Sequence, residues 1–140
     1  MADQPLVNIN NLHACIAVAN LEESINWYRE VLGFKVLQRR DFPELAAQVV
    51  FLESNGVEIE LVQSQDFTPF RRPDPPQNHV LMQGISQLSF RINNIEEVFA
   101  RAQRRSIPIA LELVNAEPLK FKAFFIRDHE GNLIEFIERY

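Results

Sequence analysis

Apolar and polar residues alternate through HACIAVAN near the start of the chain. Ala14, Ile16 and Val18 fall on one side and His13, Cys15 and Ala17 on the other, the two-residue period of a half-buried strand over about residues 11–19. Asn20 then precedes LEESINWYREVL, in which Leu21, Ile25, Tyr28 and Leu32 recur at helical spacing. The pattern predicts a helix with Asn20 as its N-cap, Glu23 completing a capping box and Gly33 as its C-terminal stop. Three further strands are expected in FKVLQRR, AAQVVFLE and VEIELVQ, the last two joined by the tight turn SNG.

The chain then repeats this plan. QLSFRINNIEE at 87–97 overlays HACIAVANLEE at 13–23 with an offset of 74, matching Asn20 with Asn94, Glu22 with Glu96 and Glu23 with Glu97. GVEIELV at 56–62 recurs as GNLIEFI at 131–137 with an offset of 75, so one loop residue separates the two registers. Internal repetition at a fixed period marks a duplicated structural unit. The second unit is expected to hold a strand at 85–92, an Asn94-capped helix at 95–105, and strands near 107–111, 121–127 and 132–138. The fold class that follows is α+β, with two βαβββ modules at about 8–64 and 84–140 in one domain spanning 1–140. Between them the proline-rich stretch DFTPFRRPDPPQNHV, within about 65–83, reads as a linker or pocket-rim loop rather than a regular element.

Composition narrows the setting. With 46% hydrophobic and 24% charged residues, the chain is ordinary globular protein, and eleven Phe supply core or pocket lining. A net charge of −5, with basic pairs scattered at Arg39–Arg40, Arg71–Arg72 and Arg104–Arg105, argues against nucleic acid as partner. No spanning segment or secretory signal is recognisable, and the single Cys15 excludes an internal disulfide, so a cytoplasmic setting without membrane association is expected. Cys15 reads as a packed thiol, and His79 and His129 read as surface residues.

Strand alternation selects four side chains. If Leu88, Phe90 and Ile92 face the helices, Gln87, Ser89 and Arg91 face away. Glu60 between Ile59 and Leu61, and Glu135 between Ile134 and Phe136, face away in the same manner. Each module thus offers one early-strand donor, His13 or Gln87, and one late-strand carboxylate, Glu60 or Glu135. One imidazole, two carboxylates and an amide oxygen suit Zn, Ni, Co, Mn or Fe(II), with the ion acting as a Lewis acid. Taken singly, each of these residues is an ordinary surface group, and only their matched repeat positions argue for a site.

The segments LHACIAVANLEESINWYREVLGFKV, GVEIELV, GISQLSFRINNIEEV and DHEGNLIEFIE resemble the vicinal oxygen chelate superfamily, which includes glyoxalase I, bleomycin-resistance proteins and extradiol dioxygenases. The resemblance implies paired βαβββ modules related by a pseudo-twofold and forming a U-shaped cleft. It implies metal ligands at His13, Glu60, Gln87 and Glu135, and a metal that binds adjacent substrate oxygens and stabilises an enolate-like intermediate. Gln87 stands where an extradiol dioxygenase needs His, which disfavours that branch. Bacterial glyoxalase I enzymes carry an Arg where this chain has Ala17 and an Asn where it has Ser64, so standard glutathione recognition is not expected. Arg91, four residues after Gln87, is a candidate to hold an anionic substrate group.

The resulting expectation is a divalent-metal-dependent lyase or isomerase of the lactoylglutathione lyase type. It would act on a small oxygen-rich substrate, with Glu135 as general base and Glu60 returning the proton. The expected assembly is a homodimer, since small open sheets leave edges for a symmetric partner to cover. Two alternatives use the same residues: a metal-free protein that sequesters a drug-type ligand, and a non-catalytic assembly protein.

Overall fold

A computed structural model describes residues 4–70 and 72–140, so Arg71 of the second basic pair lies outside the described residues. The first unit runs β1 (Ala14–Ala17), α1 (Leu21–Leu32), β2 (Lys35–Phe42), β3 (Ala47–Ser54) and β4 (Val57–Ser64). The second runs β5 (Leu88–Arg91), α2 (Ile95–Arg104), β6 (Ile109–Ala116), β7 (Phe121–Arg127) and β8 (Leu133–Arg139). Each forms a four-stranded mixed sheet, ordered β1-β4-β3-β2 in one and β5-β8-β7-β6 in the other. In both, the first strand lies parallel to the last and the other pairs are antiparallel. The α+β fold of paired modules expected from the repeat is the observed one.

Duplication extends to details that the hydrophobic pattern does not announce. A short 3₁₀ turn follows β2 at Pro43–Leu45 and β6 at Glu117–Leu119. Each closes on a left-handed residue, Ala46 at φ 48° and Lys120 at φ 54°, whose N–H bonds back to the carbonyl of Pro43 or Glu117. The strand expected near 107–111 instead begins at Ile109 and runs to Ala116, because the chain extends into this second turn.

The two helix starts are built differently. Asn20 caps α1 as expected, its side chain accepting from Glu23 N–H at 3.1 Å, and Gly33 ends the helix at φ 73°. The return half of the capping box is absent: Glu23 pairs with His129 at 2.6 Å, and Asn20 N–H faces Glu130 Oε2 at 3.4 Å. Asn94 does not cap α2, contrary to expectation. It sits at φ 57° with no side-chain cap bond, a conformation Asn tolerates better than most residues. The exposed donor is met from across the module instead, where Ile95 N–H donates to Glu138 Oε2 at 2.7 Å. Leu21 N–H donates to Gln63 Oε1 at 2.6 Å in the equivalent place, and Gln63 and Glu138 are themselves related by the offset of 75.

The helix-side faces of both sheets feed one interior. Tyr28, Leu52, Ile59, Leu61, Phe124 and Ile134 are each almost wholly buried. An aromatic chain crosses between the units, from Tyr28 to Phe34, Phe90, Phe136 and Phe124 at centroid separations of 6.0, 6.0, 6.4 and 5.1 Å. Burial of side chains of this size is worth roughly 1.5–3 kcal/mol apiece, so the shared interior is the main force holding the units together.

A polar knot reinforces the joint. Tyr28 Oη donates to Asp128 Oδ2 at 2.8 Å, and the same buried carboxylate accepts from Glu130 N–H, Asn132 N–H and the Asn132 side chain. Arg105 adds a bond to the Glu30 carbonyl at 2.9 Å. Since the interior takes the helix-side faces, the opposite faces of both sheets point away from it. Among the described residues, no helix is long and apolar enough to cross a membrane.

Candidate metal centre

On the outer face of the first sheet, β1 and β4 run in parallel register, Cys15 beside Glu60 and Ala17 beside Val62. His13 sits one residue before β1, and its imidazole returns along the strand to place Nε2 3.4 Å from Glu60 Oε2. Glu60 is flanked on its other side by Phe51 of β3, whose ring meets the His13 imidazole edge-on at 6.3 Å. The imidazole is about half exposed and the carboxylate less so, at 49% and 22%. That combination lets solvent, an ion or a substrate reach both. A small recess bounded by Asn11, Leu12, His13 and Glu58 opens beside the ring.

Cys15 is exposed on this face, not packed as its apolar surroundings suggested. Lost hydration and then the negative charge of Glu60 push its thiol pKa up, which disfavours a nucleophilic thiolate.

The second sheet places its residues by the same register. Ser89 of β5 lies beside Glu135 of β8 and donates to its Oε1 at 2.7 Å, which orients the carboxylate. Gln87 stands just before β5, half-buried, two residues from Ser89 and hence on the same face. Arg91 ends the strand beside Ile137 and is exposed on that face. Phe125 of β7 is the partner of Glu135 on its other side, as Phe51 is of Glu60.

The structure therefore brings His13 together with Glu60, and it sets Gln87, Glu135 and Arg91 on one outer face of the other sheet. Among the described residues, no three His, Cys, Asp or Glu side chains of one chain come together as a metal-binding group. Each half carries donors of the right kind: an imidazole nitrogen and a carboxylate oxygen at a separation that two ligands of one ion adopt, and an amide with an oriented carboxylate. The residues fit a hard-to-borderline divalent ion as two half-sites. The wider apolar groove, lined by Val31, Leu32, Val98, Arg101, Arg105 and Phe124, lies between the helices and involves none of these groups.

Of the two histidines expected at the surface, one departs from the sequence reading. His79, expected at the surface, is only 8% exposed, because the proline-rich linker folds into a 3₁₀ helix at Pro76–Leu81 that seats the ring on Phe125. His129 does lie in an exposed turn, but it is paired with Glu23 of α1. The clue available for His79 was the density of prolines before it, which restricts the chain enough to hold a defined loop.

Comparison with known proteins agrees with this architecture. Residues 11–136 match the family described as the Glyoxalase/Bleomycin resistance protein/Dioxygenase superfamily. A lactoylglutathione lyase of Neisseria meningitidis is 27% identical over 135 residues, covering 91% of this chain and 89% of that enzyme. Among solved structures, a glyoxalase family protein from Enterococcus faecalis superposes with a TM-score of 0.72 at 28% identity, covering 95% of this chain and 98% of the other. The trypanothione-dependent glyoxalase I of Leishmania major shares the fold, with a TM-score of 0.68 at 24% identity and coverage of 94% and 87%.

Proposed function

We propose that this chain, which belongs to the Glyoxalase/Bleomycin resistance protein/Dioxygenase superfamily, is a divalent-metal-dependent lyase or isomerase of the lactoylglutathione lyase type, working as a homodimer. The observation that carries the reading is the His13–Glu60 pair at 3.4 Å on an outward face, with the repeat-equivalent Glu135 oriented by Ser89 on the other. Both faces point away from one shared interior, so the four donors meet when the first half of one chain faces the second half of another. His13, Glu60, Gln87 and Glu135 hold the ion in this arrangement. The ion supplies Lewis acidity to adjacent oxygens of a small substrate.

The protein's own groups move the proton. Glu135, held by the Ser89 hydroxyl, takes a proton from the hydroxyl-bearing carbon next to a substrate carbonyl, while Glu60 takes the proton of that hydroxyl and delivers it to the neighbouring carbon. Glu135 then passes its own proton to the former carbonyl oxygen, so both carboxylates return to their starting state. The net change is an internal redox isomerisation in which one carbon is oxidised and its neighbour reduced, with no external electron acceptor. Arg91 offers its guanidinium to an anionic part of the substrate. Since Ala17 and Ser64 occupy positions where the resemblance leads one to expect glutathione-binding side chains, the thiol carrier differs from glutathione or is bound differently.

Elemental analysis of protein purified without a chelating tag tests the proposal. Near-stoichiometric transition metal is expected, and it should be lost in the Glu60→Gln/Glu135→Gln double variant. Metal-free protein that binds an aromatic drug tightly would replace this reading with sequestration.

A further inference from the structure

Two histidines of this chain lie against a phenylalanine, and the two phenylalanines are the same residue of the repeat. His13 meets Phe51 at 6.3 Å, and His79 meets Phe125 at 5.6 Å with the rings tilted by 54°. The offset of 74 relates Phe51 to Phe125, and the strand partners of these two are Glu60 and Glu135. Phe125 faces outward because its neighbours Phe124 and Ile126 are buried in the core. Each outer face thus has an imidazole, a phenyl ring and a glutamate side by side. In the second half the imidazole comes from the linker, while Gln87 occupies the position equivalent to His13.

We infer that His79 is a substrate-contacting residue of the second half-site, whose Nε2 accepts a hydrogen bond from a hydroxyl or N–H of the bound molecule. This rests on the reading of the outer faces as a metal-centred substrate site.

The tautomer follows from geometry. Nδ1 lies 2.8 Å from the Pro76 carbonyl oxygen, which can only accept, so Nδ1 carries a proton and the tautomer this bond selects has its lone pair at Nε2.

Spacing separates this role from that of a metal ligand. His13 reaches Glu60 at 3.4 Å, whereas His79 forms no ion pair with Glu135 among the described residues, although both adjoin Phe125. His79 therefore stands outside the donor set but on the same face. A ring this buried, carried on a proline-started turn, spends little conformational entropy when it meets a ligand.

Titration of zinc-loaded full-length protein with acetohydroxamic acid tests the inference. This two-oxygen chelator keeps an N–H donor when both oxygens are engaged. Side-chain ¹⁵N spectra of the wild type should show the His79 Nε2 resonance moving on binding while Nδ1 stays in place, a readout that needs no variant. His79→Phe keeps a ring on Phe125 and removes the acceptor. By calorimetry it should weaken hydroxamate binding about three- to tenfold, as expected for one neutral hydrogen bond, with zinc affinity unchanged to within about twofold.

A parallel fall in zinc affinity would make His79 a ligand and overturn the inference. A stationary Nε2 resonance with unchanged hydroxamate affinity would reduce His79 to packing. Wild-type protein that takes up no zinc would sink the reading of the centre and this inference with it, whereas zinc uptake with a silent His79 sinks the inference alone.

Discussion

The first and second halves of the molecule share a backbone plan closely enough that their 3₁₀ turns, the left-handed residues that close those turns and the helix-start acceptors correspond. They differ in the side chains that face outward. In the first half a histidine at the strand start pairs directly with its glutamate. In the second, the glutamate is held by Ser89, the strand-start residue is Gln87, and an imidazole is supplied by the linker. The second half also carries the longer β7–β8 loop, and there Asp128 ties it to Tyr28 of the first. The comparison teaches that duplication preserved what closes the backbone's hydrogen bonds, while the groups that could touch a ligand diverged.

The comparison can be broken most severely at the knot. Asp128→Ala strands a buried phenol and two backbone donors, and should cost about 3 kcal/mol of unfolding free energy in urea titrations. Glu53 in the first half occupies a comparable turn position, accepting from the exposed Gly56 N–H, and Glu53→Ala should cost well under half of that.

Tyr28→Phe should cost about 1.5 kcal/mol, and it also tests a pH dependence. Burial, then the Asp128 charge, push the Tyr28 phenol pKa well above its ordinary value. The unfolded chain then loses this proton first as pH rises. The stability from Tyr28 is therefore fully present below about pH 10, the ordinary phenol range, and declines above it. Wild-type stability should fall more steeply between neutral and strongly alkaline pH than that of the Phe variant. Equal slopes would show that the phenol does not contribute.

Ser89→Ala sharpens the contrast between the two carboxylates. Loss of the hydroxyl that orients Glu135 should lower metal affinity about tenfold, measured by competition with a chelating dye. Cys15→Ala, which alters the corresponding neighbour of Glu60, should leave it nearly unchanged because His13 already fixes that carboxylate.

The smallest effects distinguish the helix starts. Asn20→Ala should destabilise by about 1 kcal/mol, since it removes a real cap. Asn94→Gly should instead be neutral or stabilising by up to about 1 kcal/mol, because the residue only has to adopt a positive φ. Losses of equal size at both asparagines would contradict the different roles assigned to them.

Much of this was legible in the sequence. The strand faces followed from alternation, which also singled out His13 and Glu60 as outward-facing, while their contact comes from the parallel pairing of β1 with β4, which alternation alone does not give. What could not be read depended on contacts across long stretches of chain. Asn94 looks like a cap because its sequence context copies that of Asn20, yet Glu138 satisfies the donor from 43 residues away. Beyond the prolines before it, His79 has no local pattern to mark it, since its burial depends on a linker folding over a strand that comes later in the chain. The missing half of the capping box has the same origin, because Glu130 and His129 reach α1 from the β7–β8 loop.

The single interior beneath two outward faces has a consequence for how such a protein can change. A substitution beneath the helices disturbs both ends together, whereas one on an outer surface is felt locally. Ligand preference can thus be retuned at one end, or through the segment that connects β4 to β5, while the common keel stays as it is.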